Sequence, residues 1–403
     1  MSMTSATPTI THNALPQTAE RLHRTTLNPF AAINQRLQMM TAAGQSVIRL
    51  DIGSPDLPPP GRVVDALSRS AANPAHHGYS SYRGDGTYRR AMAEYYAQRF
   101  GVSLDPDNEV LPLIGSKEGI ANLSLAYLDR GDAALVPAIS YPTYAAGALL
   151  AGAETIILPM RPEDGYLPDL TAPVPGIERA KLLWVNYPNN PTGATATLAF
   201  YEQALAFCVK HNLILCSDNP YADVTFDGYR APSALEIPGA KERTVEFTSL
   251  SKTYNMAGWR MGAASGNRDV LNELLRVKSN VDSASFRALY DAGTEALINT
   301  SEDWLAERNG RYAARRDLLM AALPDLGLRA EKPRATLYVW AKITDGRSEK
   351  EYAEEALDAT SVSITPGTVY GVAGAGYVRF SLGISDSELS EALDRLREWH
   401  ASQ

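Results

Sequence analysis

Only two cysteines occur in 403 residues, Cys208 and Cys216. They lie too far apart for a CxxC metal or redox motif, and their apolar neighbours make them buried free thiols. No stretch approaches the roughly 20 apolar residues of a membrane span. The Thr- and Ser-rich segment from Met1 to Arg24 lacks the apolar centre of a signal peptide, so a cytoplasmic protein without a membrane partner is expected. Positive charge is in deficit: the net charge of -8 opposes non-specific contact with nucleic acid or an anionic bilayer, so any anion site must be local. The histidines form no HExxH cluster, and neither a GxSxG elbow nor a GxxxxGK[ST] loop is present, so metal, serine-hydrolase and nucleotide chemistry have no support. Gly371 to Gly376 is glycine-rich but leads into a strand rather than a helix, which excludes a dinucleotide reading.

Hydrophobic residues at 45% and charged residues at 21% are ordinary for a globular chain. The length exceeds what one core usually fills, so a large domain with a smaller companion is expected. Helical spacing of Phe30, Ile33, Leu37 and Met40 predicts a helix from Pro29 to Gly44, followed by a short strand from Val47 to Leu50. Between Asn108 and Ala264 short apolar runs recur: 110–113, 134–137, 155–158, 182–185, 213–216 and 245–247. Helical patterns such as 118–128 and 198–211 separate most of them. Such alternation predicts an α/β fold with a wound, mainly parallel sheet covered on both faces, and places sites beyond the strands' C-terminal ends. After Asp269 the pattern turns helical. Strand-like 337–340 and 378–381 then alternate with helix-like 351–357 and 386–399 as a small α+β unit. We expect a large domain over 55–285 and a small one built from 1–54 and 286–403.

Four stretches at strand ends carry chemistry. Ser249-Leu250-Ser251-Lys252 follows the run ending in Phe247. A partly desolvated lysine there has an amine able to attack an aldehyde, and Ser249, Ser251 and Arg260 offer donors and charge for a phosphate. Asn186-Tyr187-Pro188-Asn189-Asn190-Pro191-Thr192-Gly193 makes a rigid turn whose asparagine can hydrogen-bond a phenolic oxygen. Asp218, in Ser217-Asp218-Asn219-Pro220-Tyr221, can pair with a protonated pyridine nitrogen. Gly115-Ser116-Lys117-Glu118-Gly119 opens a helix whose first N-H groups can cradle a phosphate. Tyr141 can stack on a flat heteroaromatic ring, and Arg379, alternating with apolar neighbours, presents a fork suited to a carboxylate. Alone, each has a plainer explanation: a solvated lysine, a turn, a capping aspartate, a core aromatic, a surface ion pair.

In order and placement together, these motifs resemble the class I/II aminotransferases of pyridoxal 5'-phosphate fold type I over nearly the whole chain. Asn-Asn-Pro-Thr-Gly at 189–193, Asp218 with Tyr221, and Ser-Leu-Ser-Lys at 249–252 are the most specific parts. The resemblance implies a mainly parallel seven-stranded sheet between helices, a smaller α+β domain, and a Schiff base between Lys252 and the cofactor. It implies that Asp218 pairs with the pyridinium nitrogen and that Asn190 and Tyr221 contact the ring hydroxyl. Tyr141 would stack on the ring, with Ser116, Lys117, Ser249, Ser251 and Arg260 around the phosphate. Arg379, Gly53, Asn190 and Asn280 would face substrate. Tyr79 matches a tyrosine that in the family reaches the neighbouring subunit's phosphate, which implies a homodimer. The implied reaction is ping-pong transfer of an amino group from an L-amino acid to a 2-oxo acid such as 2-oxoglutarate. Ile114-Gly-Ser-Lys-Glu-Gly119 and Ala335-Thr-Leu-Tyr-Val-Trp340 are most similar to the branch of LL-diaminopimelate aminotransferases. Asn28-Pro29-Phe30 departs from a tyrosine common there. Aspartate or alanine transamination and β-elimination on the same fold are the alternatives.

Overall fold

The computed structural model describes residues 16–25 and 29–403. Its centre is a seven-stranded sheet of β2 (Val110–Leu113), β3 (Ala133–Pro137), β4 (Glu154–Leu158), β5 (Ala180–Val185), β6 (Ile214–Asp218), β7 (Thr244–Ser249) and β8 (Gly262–Gly266). β1 (Ile48–Arg49) precedes it in the chain and lies outside it. The strands lie in the order β2-β8-β7-β6-β5-β3-β4, and only β8 runs against the others. The expected mainly parallel sheet is therefore present. Its inner strands β3, β7 and β8 are buried along their whole length, and β5 and β6 at all but one position each, as strands covered on both faces must be. β8 was not foreseen, because Gly262-Ala-Ala-Ser-Gly266 has neither β-branched nor aromatic residues to mark a strand.

Helices between the strands have legible ends. Thr197 caps Leu198–His211 by accepting from the Phe200 N-H, and Asn212 closes it in the left-handed conformation. One face of the sheet packs Leu123, Ala148, Trp184, Phe247 and Leu271 together, and the other packs Leu183, Phe200, Phe207 and Leu215.

The C-terminal part forms a second core around an antiparallel sheet of β9 (Leu328–Arg329), β10 (Tyr338–Ile343), β12 (Thr365–Pro366) and β13 (Tyr377–Ser381). β1 pairs in parallel with β11 (Val362–Ser363), which ties the N-terminal segment to this core. The helix Arg287–Asn299 packs instead on the helices Gly61–Ala71 and Gly86–Phe100, sharing a cluster with Tyr88 and Met92. We therefore propose a large domain extending to about residue 300, beyond the expected limit of 285.

Candidate active site

The C-terminal ends of the parallel strands converge on one cavity of about 530 Å³. The chain turns out of β2 at Gly115, which at φ +79° takes a conformation open to glycine. A Cβ there would stand 2.4 Å from Arg260 Nη2. The helix Ser116–Tyr127 begins at this turn with no side-chain cap, so its first N-H groups are open to an anion beside Ser116, Lys117 and Arg260.

Asp218 ends β6 and is 4% exposed. Its Oδ2 accepts from Tyr144 Oη at 2.6 Å, whereas Oδ1 is buried without a partner among the described residues. Burial raises the carboxyl to about 7, the Tyr144 hydrogen bond opposing and the Glu246 carboxylate adding. Tyr144 is fixed by stacking on Trp184, with centroids 5.0 Å apart and planes 9° from parallel. Asn186 joins this corner to the next loop: Nδ2 donates to the Asp218 carbonyl at 2.7 Å, and Oδ1 accepts from the Asn190 N-H at 2.9 Å.

Lys252 lies in the short helical turn Leu250–Thr253 that follows β7, and Nζ donates to the Gly53 carbonyl. Burial first, then the charges of Arg379 and Arg260, lower its amine to about 8. Near pH 8 about half of it is neutral and nucleophilic. In cofactor-free protein, amine-directed labelling should therefore reach Lys252 with an inflection near pH 8, ahead of ordinary lysines near about 10.4. Peptide mapping that finds residue 252 unlabelled at pH 9 would contradict this.

Arg379 is 2% exposed, not the surface group its strand pattern alone allows. Nη1 donates to Asn190 Oδ1 at 3.1 Å and Nη2 to the Asp51 carbonyl at 2.6 Å, while Nε has no partner among the described residues. The guanidinium stacks over Tyr338 at 4.1 Å and Tyr370 at 5.0 Å. Tyr338 and Tyr221 share a hydroxyl contact of 2.9 Å, and burial keeps both phenols protonated. A Cβ on Gly53 would meet Tyr338 Oη at 2.5 Å, so the backbone there can approach only as glycine.

One cavity thus gathers Gly53, Ser116, Lys117, Tyr141, Asn190, Asp218, Tyr221, Ser249, Ser251, Lys252, Arg260 and Arg379. Tyr79, 94% exposed, and Asn280, exposed and bonded to the Arg276 carbonyl, are not brought to it by this chain's own fold. Asn28 lies outside the described residues, whereas Phe30 lines the cavity. Tyr144, Asn186, Tyr338, Arg49 and Asp51 also belong to the site or its support but carried no role in the sequence reading. Asn186 and Tyr338 lie inside stretches singled out above, Asn186–Gly193 and Ala335–Trp340, and had a signal that could have drawn attention.

Three buried polar atoms await partners here: an acceptor on Asp218, a hydroxyl on Ser251 and a donor on Arg379. With the amine of Lys252 and the open helix start, they suit a cationic ring nitrogen, a phosphate, a carboxylate and an aldehyde. The family profile "Aminotransferase class I and II" matches residues 45–396. The chain belongs to that family.

The relatives agree. An LL-diaminopimelate aminotransferase of Dehalococcoides mccartyi is 47% identical over 368 residues, covering 91% of this chain and 95% of the relative. Another, of Moorella thermoacetica, is 46% identical, with 94% and 98% covered. Among solved structures, substrate-bound BacF of Bacillus subtilis superposes with a TM-score of 0.92 at 35% identity, covering 95% of this chain and 98% of that one. A probable N-succinyldiaminopimelate aminotransferase of Thermus thermophilus gives 0.85 at 38% identity, covering 92% and 99%. The chain is accordingly a pyridoxal 5'-phosphate-dependent aminotransferase of fold type I, in the LL-diaminopimelate aminotransferase branch.

Proposed function

We propose that this aminotransferase takes its amino group from LL-diaminopimelate, passes it to 2-oxoglutarate, and works in the cytoplasm as a homodimer. The carrying observation is that the lowered amine of Lys252 and the unpaired Oδ1 of Asp218 share one cavity. The donor is inferred from the relatives' names at 46–47% identity. Among the described residues no helix is long and apolar enough to cross a membrane.

When bound, pyridoxal 5'-phosphate supplies an electrophilic aldehyde and an electron-withdrawing ring. Lys252 Nζ would be the amine that holds that aldehyde, and when free it would take the proton from the substrate Cα. Its lowered pKa leaves Nζ able to accept that proton near neutrality. Asp218 Oδ1 holds the ring nitrogen in its protonated form, and Asn190 and Tyr221 donate to the ring hydroxyl. Ser116, Lys117, Ser249, Ser251 and Arg260 hold the phosphate, and Tyr141 covers the ring. Arg379 grips the α-carboxylate, fixing the Cα-H bond toward Lys252.

The dimer is supported by the loop at 77–82. Ser80 Oγ donates to the Ser285 carbonyl at 2.9 Å, and His77 meets Phe286 with centroids 5.6 Å apart. Tyr79, Tyr82, Val281 and Phe286 are all left exposed, with Asn280 beside Val281. In a dimer this face would bring Tyr79 and Asn280 to the partner's cavity.

The test is a panel of LL-diaminopimelate, aspartate, alanine and aromatic amino acids, each with and without 2-oxoglutarate. Conversion of diaminopimelate that requires the oxo acid is expected. Release of pyruvate and ammonia from an added sulfur amino acid such as cysteine, without an acceptor, would replace the reading with β-elimination. Arg379→Ala should weaken every amino-acid substrate together, raising KM by about 10- to 100-fold, since one charged fork is lost. Loss confined to one substrate class would assign the α-carboxylate to another residue.

A further inference from the structure

We propose that Arg49, oriented by Asp51 and Asn34, is a specificity-determining residue that receives a second carboxylate at the far end of the substrate. Amino acids and oxo acids whose side chains end in a carboxylate are then favoured. This rests on the transaminase reading above and extends it to a substrate class.

The segment from Arg49 to Gly53 lines one wall of the cavity and touches three functional groups in turn. The Gly53 carbonyl accepts from Lys252, the Asp51 carbonyl accepts from Arg379, and the Asp51 carboxylate pairs with Arg49. The amine is therefore anchored at residue 53 and both guanidiniums at residue 51, one on its carbonyl and one on its carboxylate.

Arg49 is built to donate in a fixed direction. Nε and Nη2 make paired bonds of 2.6 and 2.7 Å to Asp51, which is 2% exposed, and Nη2 also donates to Asn34 Oδ1 at 2.7 Å. Nη1 has no partner among the described residues, and the side chain, 29% exposed, lines the cavity. Asp51 pairs with Arg49, so the guanidinium is not a bare charge in the cavity wall. The guanidinium is held in a fixed orientation, with the two N–H donors of Nη1 free for an anion. Arg49 lines the same cavity as Arg379 and Lys252, beside Phe30 and Ile52.

The test compares 2-oxoglutarate with pyruvate as acceptors for the holoenzyme, and measures glutarate against butyrate binding by calorimetry. Arg49→Gln should lower the kcat/KM ratio of 2-oxoglutarate to pyruvate by about 10- to 100-fold, as expected for losing a charge-assisted contact, and should weaken glutarate more than butyrate. Since Gln leaves Asp51 unpaired, two further variants guard against misfolding. Arg49→Lys keeps the charge but loses the fork, and Asn34→Leu keeps the Arg49–Asp51 pair but releases its orientation. Both should lower the same ratio, Asn34→Leu by about 3-fold. An equal fall for both acceptors, or an unchanged ratio in folded variants, would overturn the proposal. A wild-type enzyme that turns over neither acceptor would instead remove the transaminase reading on which it rests.

Discussion

Lys252→Ala should retain its fold, bind the cofactor reversibly, and lose transamination by at least about 10⁴-fold, since one amine serves as attachment point and general base. The environment is what singles out this lysine. Burial and two guanidinium groups bring its amine to about 8, within reach of neutral pH. Lys252→Arg sharpens the experiment: it preserves length and charge but cannot lose its proton, so it should be as inactive as the alanine variant. Borohydride trapping and peptide mapping should find the cofactor on residue 252 in the wild type and nowhere in either variant. The visible absorbance of the lysine-linked cofactor should disappear with it. Retained turnover, or trapping at another lysine, would move the chemistry away from this position.

Much of the scaffold can be read from residue pattern because a buried parallel strand must be a continuous apolar run. β2 to β6 all show one within a few residues of the observed strands, whereas β7 interrupts its run with Glu246, buried and bonded by Ser217 and Ser233. β8 has no such mark, and its antiparallel place between β2 and β7 follows from packing rather than from its own side chains. Within the site, residues next to a strand end were legible, since the fold delivers strand ends to one edge. Supports reached from elsewhere in the chain were not. Tyr338 meets Tyr221 across 117 positions, and Arg379 meets Asp51 across 328, so only the folded chain reveals these pairs. Arg379 also shows how pattern misleads. An arginine alternating with apolar residues is as compatible with a surface ion pair as with burial, until three aromatic rings are seen to enclose it.

Asp218→Asn should cost catalysis about 10²- to 10³-fold and yet stabilise the cofactor-free protein at alkaline pH. The rate loss follows from geometry: Asn still accepts from Tyr144 but offers no anion to keep a ring nitrogen protonated. The stability gain follows from the raised carboxyl. With an unfolded value near 3.8 and a folded value near 7, the native state binds the proton more tightly. Stability therefore falls as pH rises from about 4 to about 7 and is flat above that window. About three pKa units set a ceiling near 4 kcal/mol, and the unpaired amide hydrogens of Asn reduce the expected gain to about 1–3 kcal/mol. Denaturant unfolding of cofactor-free wild type and Asp218→Asn should thus diverge between pH 5 and pH 8, the variant being the more stable at the upper end. Adding pyridoxal 5'-phosphate should reverse the order, because the unpaired Oδ1 then gains a cationic partner only in the wild type. Parallel pH curves for the two cofactor-free proteins would mean that Asp218 is already ionised and satisfied without the ring. The poise of this carboxylate for its partner would then be lost as an explanation of the site.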